Sequence, residues 1–276
     1  MRSTPPFIRS AGHTLAALAA AYRVGASDAV SATPVLLGRA IFYGVCLMVL
    51  TAFWDKVAAQ RLAGTLATRL PAGGLGVYIG VTEWITLSAP AVHLKLQDDL
   101  RSGALEPHLL RPKHYLAQTL AGEAGGMTIR LAVLGAAGLV LLALSHRAAP
   151  PGLGLVYVAV LGFIGTAIGL LLLAAVGLTA FWIRRVLPPL LIVQKLLFLL
   201  GGLFAPISFY PPWLHAIAAA TPFAANMAFA GEAMLTPSPA AFGWALAAQA
   251  FWFVGLSLLL ALIWRAGLRK LLTAGI

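Results

Sequence analysis

Apolar residues fill long unbroken stretches of this chain, and polar residues collect in the short gaps between them. A helix needs about 20 apolar residues to cross the hydrocarbon core of a bilayer. Six stretches reach or approach that length: Val35 to Trp54, Ala72 to Val92, Tyr115 to Leu144, Gly154 to Trp182, Leu187 to Phe204 and Ala240 to Trp264. The alternation of apolar and polar residues that a transmembrane barrel needs is absent. The pattern predicts an all-α integral membrane protein with six transmembrane helices in a single domain, residues 1–276.

Three other segments break the pattern. Over residues 7–24, Ile8, Ala11, Leu15, Leu18, Ala19 and Tyr22 recur at helical spacing, with Arg9, His13 and Arg23 off the stripe. This predicts an amphipathic helix in the membrane interface, ahead of the turn at Pro34. Residues 205–239 contain PISFYPPWLHAIAAATPF, whose prolines interrupt any continuous span and whose aromatics suit an interfacial belt. One or two short re-entrant helices are expected there, covered by protein or water. The third segment, Gln97 to Pro112, reads QDDLRSGALEPHLLRP and is a charge-dense island between two spans. A short polar helix in that position has few roles except to meet a soluble partner.

Composition supports the membrane assignment. The chain is 61% hydrophobic and 10% charged, with a mean hydropathy of +0.91. A soluble domain of this size does not carry so few charges. The net charge is +11, and its placement says more than its sum. With the N-terminus inside, fourteen Lys and Arg fall on cytoplasmic segments, four on outside segments, and Lys195 within the fifth span. That bias predicts cytoplasmic N- and C-termini. Anionic membrane lipids suffice as partners for the basic charge, with no nucleic acid required. The single cysteine, Cys46, lies in the first span and forms no internal disulfide.

Catalytic motifs are missing. There is no G-x-x-x-x-G-K-[ST] loop, no H-E-x-x-H pair and no G-x-S-x-G elbow, and the six histidines are scattered. No catalytic residue, metal site or cofactor of its own is expected. Glu83, Arg130, Gln194 and Lys195 fall inside apolar stretches, where ionisable groups usually pair or face a wet cavity. Glu83 and Arg130 are at similar depth in neighbouring spans. They read as a structural ion pair first, with a snorkelling Arg130 or a polar contact in a translocation path as alternatives. Small-residue pairs, Gly76 with Gly80 and Gly165 with Gly169, mark candidate close helix contacts.

In the charged island, Asp98, Asp99, Arg101, Gly103, Ala104, Leu105, Glu106, Leu109, Leu110 and Pro112 form an acid-rich run, then Gly-small-Leu-Glu, Leu-Leu and Pro. Further on, Gly202, Phe204, Pro206, Pro212, Trp213, Leu214, Pro222 and Phe223 form a Gly, Phe-x-Pro, Pro-x-Trp-Leu and Pro-Phe series. Together they resemble the membrane subunit of a type-2 ATP-binding-cassette (ABC) transporter. One departure is that the usual Glu-Arg before the coupling Gly is Asp98-Asp99, with Arg101 displaced.

The resemblance implies a permease of an ATP-driven exporter in the bacterial inner membrane. Residues 97–112 would be its coupling helix, with Asp98, Asp99, Arg101, Gly103, Leu105, Glu106, Leu110 and Pro112 meeting a cytoplasmic ATPase in two copies. Pro206, Pro212, Trp213 and Pro222 would form the extracellular re-entrant motif. ATP and Mg would be bound by the ATPase, and a second permease subunit, identical or related, would complete the path. The LLRP sequence at Leu109 to Pro112 is similar to a branch often built from two related permeases and one ATPase. A lipid-modifying intramembrane enzyme or a non-transporting assembly factor is the alternative reading.

Overall fold

The computed structural model describes residues 6–59, 74–105, 107, 115–144 and 152–273. Helix is the only regular structure among them. The helices, in chain order, are α1 (Pro6–Ser31), α2 (Thr33–Ala59), α3 (Gly74–Ser88), α4 (Val92–Arg101), α5 (Tyr115–Leu144) and α6 (Gly152–Leu178). They continue as α7 (Leu187–Leu200), α8 (Pro212–Ala219), α9 (Pro222–Asn226), α10 (Ala228–Leu235) and α11 (Pro239–Thr273). Short 3₁₀ turns lie at Thr179–Phe181 and Ile207–Phe209.

Five helical stretches among the described residues are long and apolar enough to cross a membrane: Thr33–Lys56, Gly74–Arg101 across the α3–α4 break, Tyr115–Leu144, Gly152–Phe181 and Pro239–Thr273. The predicted fifth span forms the 14-residue α7. At about 1.5 Å per residue it covers about 21 Å, short of a bilayer core of about 30 Å. Gly201 ends it, and Gly202 turns the chain at φ +70°.

α6 is the axis of the bundle. α3, α4, α5, α7, α9, α10 and α11 all pack on it. Its glycines make this possible, because a helix without Cβ atoms on one stripe lets a neighbour approach its backbone. A Cβ at Gly165 would stand 2.1 Å from the Asn226 carbonyl oxygen, and one at Gly177 would meet α4 at His93 and Leu96. The Gly165–Gly169 pair therefore is a contact stripe, and it receives α9.

α1 differs from the expected surface helix. It runs to Ser31 and lies backbone to backbone on the first half of α5. A Cβ at Gly25 would fall 1.8 Å from the Gly122 carbonyl oxygen, and one at Gly125 would fall 2.0 Å from that of Tyr22. The docking stripe is Ala17, Ala21 and Gly25, while Leu15 and Tyr22 are exposed. Small residues, not large apolar ones, set how this helix sits.

The segment between α7 and α11 is also deeper than the sequence suggests. Instead of one or two dipping helices, it holds a 3₁₀ turn and three short helices. α9 and α10 are buried against α6 and α3. Asn226 donates to the Gly165 carbonyl at 2.8 Å, halfway along α6. Gln249 of α11 donates to the carbonyls of Leu161 at 2.8 Å and Ala225 at 2.9 Å. Tyr78 donates to the Gly202 carbonyl at 2.7 Å. These bonds satisfy irregular backbone where water is scarce. Pro206, Pro212 and Pro222 each open a helical piece here, and Trp213 points out, 66% exposed.

Candidate functional site

α4 is built to present one face and anchor the other. Val92 and Leu96, one turn apart, are fully buried. They rest against the end of α6 around Gly177. The helix ends at Arg101 because the next residues turn. Ser102 donates from its backbone N–H to the Asp98 carbonyl at 2.9 Å and from its hydroxyl to the same oxygen at 2.7 Å. Gly103 takes φ +74°, the left-handed step that ends many helices. Leu105 then folds back, 2% exposed, with its N–H on the Asp99 carbonyl at 3.3 Å.

Two polar side chains of α4 are committed inside the subunit. Gln97 accepts the Val186 N–H at 2.9 Å, tying α4 to the start of α7. Asp99 accepts the Tyr115 hydroxyl, tying it to the start of α5. What remains on the outer face is Leu94, Lys95, Asp98, Arg101 and Ser102, all exposed. Beside this face is a notch of about 320 Å³ lined by Leu94, Gln97, Arg101, Arg185, Val186, Leu187 and Leu190. Arg184 and Arg185 stand exposed at its edge.

The structure thus divides the residues expected to couple. Asp98 and Arg101 face outward, whereas Asp99, Gly103 and Leu105 shape and hold the helix. The helix itself begins at Val92, five residues before the predicted start, and ends at Arg101. Glu106, Leu109, Leu110 and Pro112 lie outside the described residues. Arg184 and Arg185 entered the sequence reading only as inside positive charge. Their side-by-side position before Pro188-Pro189 was the available signal.

The second set of charges lies where α3 gives way to α4. Pro90 has no N–H to offer, so the ladder breaks and carbonyls near Ser88 lose their helical partners. Two arginines from other helices take over. Arg39 of α2 donates from Nη1 to the Leu87 carbonyl at 2.5 Å, and Arg130 of α5 donates from Nε to the Ser88 carbonyl at 3.1 Å. A positive group at a helix C-terminus is favoured by the peptide dipoles. Glu123 is near enough to Arg130 to offset part of the positive charge.

The expected Glu83–Arg130 pair is therefore not formed. Among the described residues Arg130 has the Ser88 carbonyl as its partner, and its Nη2 has none. Glu83 faces α2 instead, near Tyr43 and Cys46. The depth argument also changes. Arg39 and Asp55 bound the apolar part of α2 and stand sixteen residues apart, about 24 Å of helix. Arg130 meets the same helix end as Arg39, so it sits at a rim of the apolar layer and not inside it. Gln194 and Lys195 are elsewhere, exposed on α7, which leans on α6, α8 and α9.

The helices, the broken span and the charged face correspond to a known design. Residues 75–275 match the family of ABC-2 family transporter proteins. The chain belongs to that family. A search of curated proteins gave no match. The ABC-2 family match begins at Leu75 and so covers α4, the α7–α11 region and the axis helix α6, with α1 and α2 before it. The chain is an all-α multi-pass membrane protein and a permease component of an ABC transporter, a role that implies an ATPase partner.

Proposed function

We propose that this chain is the permease subunit of an ATP-driven exporter and that the outer face of α4 receives the ATPase. The observation that carries the reading is the division of labour on α4. Its buried side and both ends are fixed by α5, α6 and α7, while Lys95, Asp98 and Arg101 are left for a partner. Charge-assisted contacts to such a face are stronger than neutral ones. ATP and Mg are bound by the ATPase, two copies of which serve a pair of permeases.

Several features support the rest of the arrangement. The first and last described helices, α1 and α11, both reach the α4 end of the bundle, where Trp264 stacks on Tyr115 with centroids 5.7 Å apart. The Lys and Arg bias supports a cytoplasmic α4 end, and the family resemblance supports a bacterial inner membrane. Gln194 and Lys195 are exposed on an otherwise apolar helix. Polar groups in that setting favour a protein neighbour or a wet path over lipid, which supports a second permease subunit on the α7 side.

Co-purification tests the reading. The permease is co-expressed with a candidate ABC ATPase subunit from the same genome. Replacing Asp98 and Arg101 together with Ala should cut the recovered ATPase at least tenfold and abolish its stimulation. The thermal stability of the permease should stay unchanged. Full association and stimulation in that variant would refute α4 as the coupling face. Adding Glu106→Ala tests the sequence expectation for the adjoining residue.

A further inference from the structure

At the end of the bundle away from α4, a cavity of about 510 Å³ lies between α2, α3, α5 and the first turns of α6. Its volume is in the range of ligand pockets, about 300–1,000 Å³. Its wall runs along α5 from Gly135 to Leu144, about 13 Å of helix. Glycines line it on three helices: Gly44 on α2, Gly76 and Gly80 on α3, and Gly135 and Gly138 on α5. Gly135 and Gly138 make room for Trp84 and Tyr43, while at Gly44 a Cβ would meet only Leu141 at an ordinary 3.7 Å. Met48, Leu139, Leu144 and Leu155 line the cavity and are also exposed on the outside of the bundle, so it opens sideways into the surroundings of the helices.

The chemistry of the wall selects the occupant. Three lining side chains carry a polar group, and each is already used. Tyr43 donates to the Gly80 carbonyl at 2.8 Å, Trp84 donates from Nε1 to the Leu131 carbonyl at 2.8 Å, and Thr51 donates to the Leu47 carbonyl at 2.6 Å. Among the described residues no side-chain donor is left for a ligand, and only the Tyr43 and Thr51 oxygens can still accept. Water gains little in such a space, because a buried water needs two to four polar partners. Hydrocarbon suits it, and hydrocarbon is what surrounds a membrane-spanning bundle.

We propose that this cavity binds one hydrocarbon chain of a membrane amphiphile, entering sideways from the leaflet opposite α4. Tyr43 and Trp84 close its inner end, and Met234 of α10 borders it. The same chemistry is offered by a bilayer phospholipid and by a free single-chain amphiphile, and two probes tell them apart. The proposal rests on the membrane-spanning fold and not on the coupling reading, so no ATPase is needed to test it.

The full chain is placed in nanodiscs with phosphatidylcholine carrying a diazirine near the end of one acyl chain. In a second arm, diazirine-tagged palmitic acid is added in trace amount. After irradiation, labelled positions are mapped by mass spectrometry. At least one probe should label Met48, Trp84 and Leu139 fivefold or more above Phe251, Leu258 and Leu262, which are exposed on α11. Labelling by the phospholipid alone identifies a bilayer lipid; labelling by palmitate identifies a site that accepts free chains. Filling the cavity with Gly44→Leu and Ala159→Phe should lower the signal at the lining to the α11 level and leave α11 unchanged. Gly44 accepts a side chain, since a Cβ there meets Leu141 at an ordinary 3.7 Å. If the filled variant does not fold, the contrast between lining and α11 in the unaltered protein still decides. Equal labelling of lining and α11 with both probes, or a lining signal unchanged by filling, overturns the proposal. So does a lining signal that disappears when two copies share a nanodisc.

Discussion

α2 and α6 are comparably apolar, yet 61% of the most apolar stretch of α6 is buried inside the subunit and 11% of that of α2. Hydropathy makes both of them spans. Packing separates them into a helix that meets protein over most of its surface and a helix that meets mostly what lies outside. The difference extends to polar residues. Along the α6 seam, Asn226 and Gln249 are buried and hydrogen-bonded to backbone carbonyls. On the outer helix α7, Gln194 and Lys195 are exposed. The first group holds the subunit together, and the second group is free for a neighbour.

The largest test of that contrast uses glycine. Gly165→Val places a branched side chain where even a Cβ would be 2.1 Å from the Asn226 carbonyl oxygen. Overpacking of this kind costs about 1–3 kcal/mol or more. Thermal unfolding in detergent should show a loss at or above the upper figure, because backbone cannot swing aside. Gly38→Ala on α2, where a Cβ meets nothing within 4 Å, should be neutral or stabilising by up to about 1 kcal/mol. Equal effects at the two sites would erase the distinction between the helices.

A smaller effect is expected from Gln249→Leu. It removes donors from the Leu161 and Ala225 carbonyls. Hydrogen bonds between membrane helices contribute about 0.6–2 kcal/mol, and the melting temperature should fall accordingly. Lys195→Leu should change the stability of the isolated subunit by less than about 0.5 kcal/mol, as exposed sites do. In a reconstituted transporter the same change should lower transport. Unfolding of the isolated subunit by Lys195→Leu would place that residue in the structural group.

The smallest effect concerns pH. Burial pushes the Glu232 carboxyl above the ordinary range, against the opposing pull of the Ser208 N–H at 2.9 Å and the charge of His215. A carboxyl with a raised value in the folded state favours folding when protonated. Its contribution is full below the ordinary Glu value of about 4.3 and is lost as pH rises through the folded value. The melting temperature should decline over that window, and Glu232→Gln should flatten the decline while keeping an acceptor for Ser208.

Much of this was legible in the chain. Three of the long spans begin and end close to where hydropathy puts them, two run about nine residues past their predicted ends, and Gly103 and Gly202 take the left-handed step at turns. The α4 side chains were recognisable as a group, but their division into outward and inward was not, because one-dimensional spacing does not show that Tyr115 returns to Asp99. Arg130 was read as deep in a span since apolar residues run on both sides of it. The residues before it are apolar for another reason, which is that they carry α1. Its true partner is a carbonyl, and carbonyls leave no trace in residue type. α7 looked like a full span because Gly201 to Phe204 continue its hydropathy after its helix has stopped.

The break at Pro90 has one more consequence. A straight helix transmits a push along its own axis and little else. Here the axis is cut, and the exposed end of α3 is held by guanidinium groups that belong to α2 and α5. A push on α4 crosses the short link at Ala89 to Ala91 and meets an α3 end that is tied to two other helices, so three helices share it. The stiffness of that joint depends on two side chains with many rotatable bonds, so a single methylene of difference at Arg39 or Arg130 would change how far a tilt at the surface travels into the bundle.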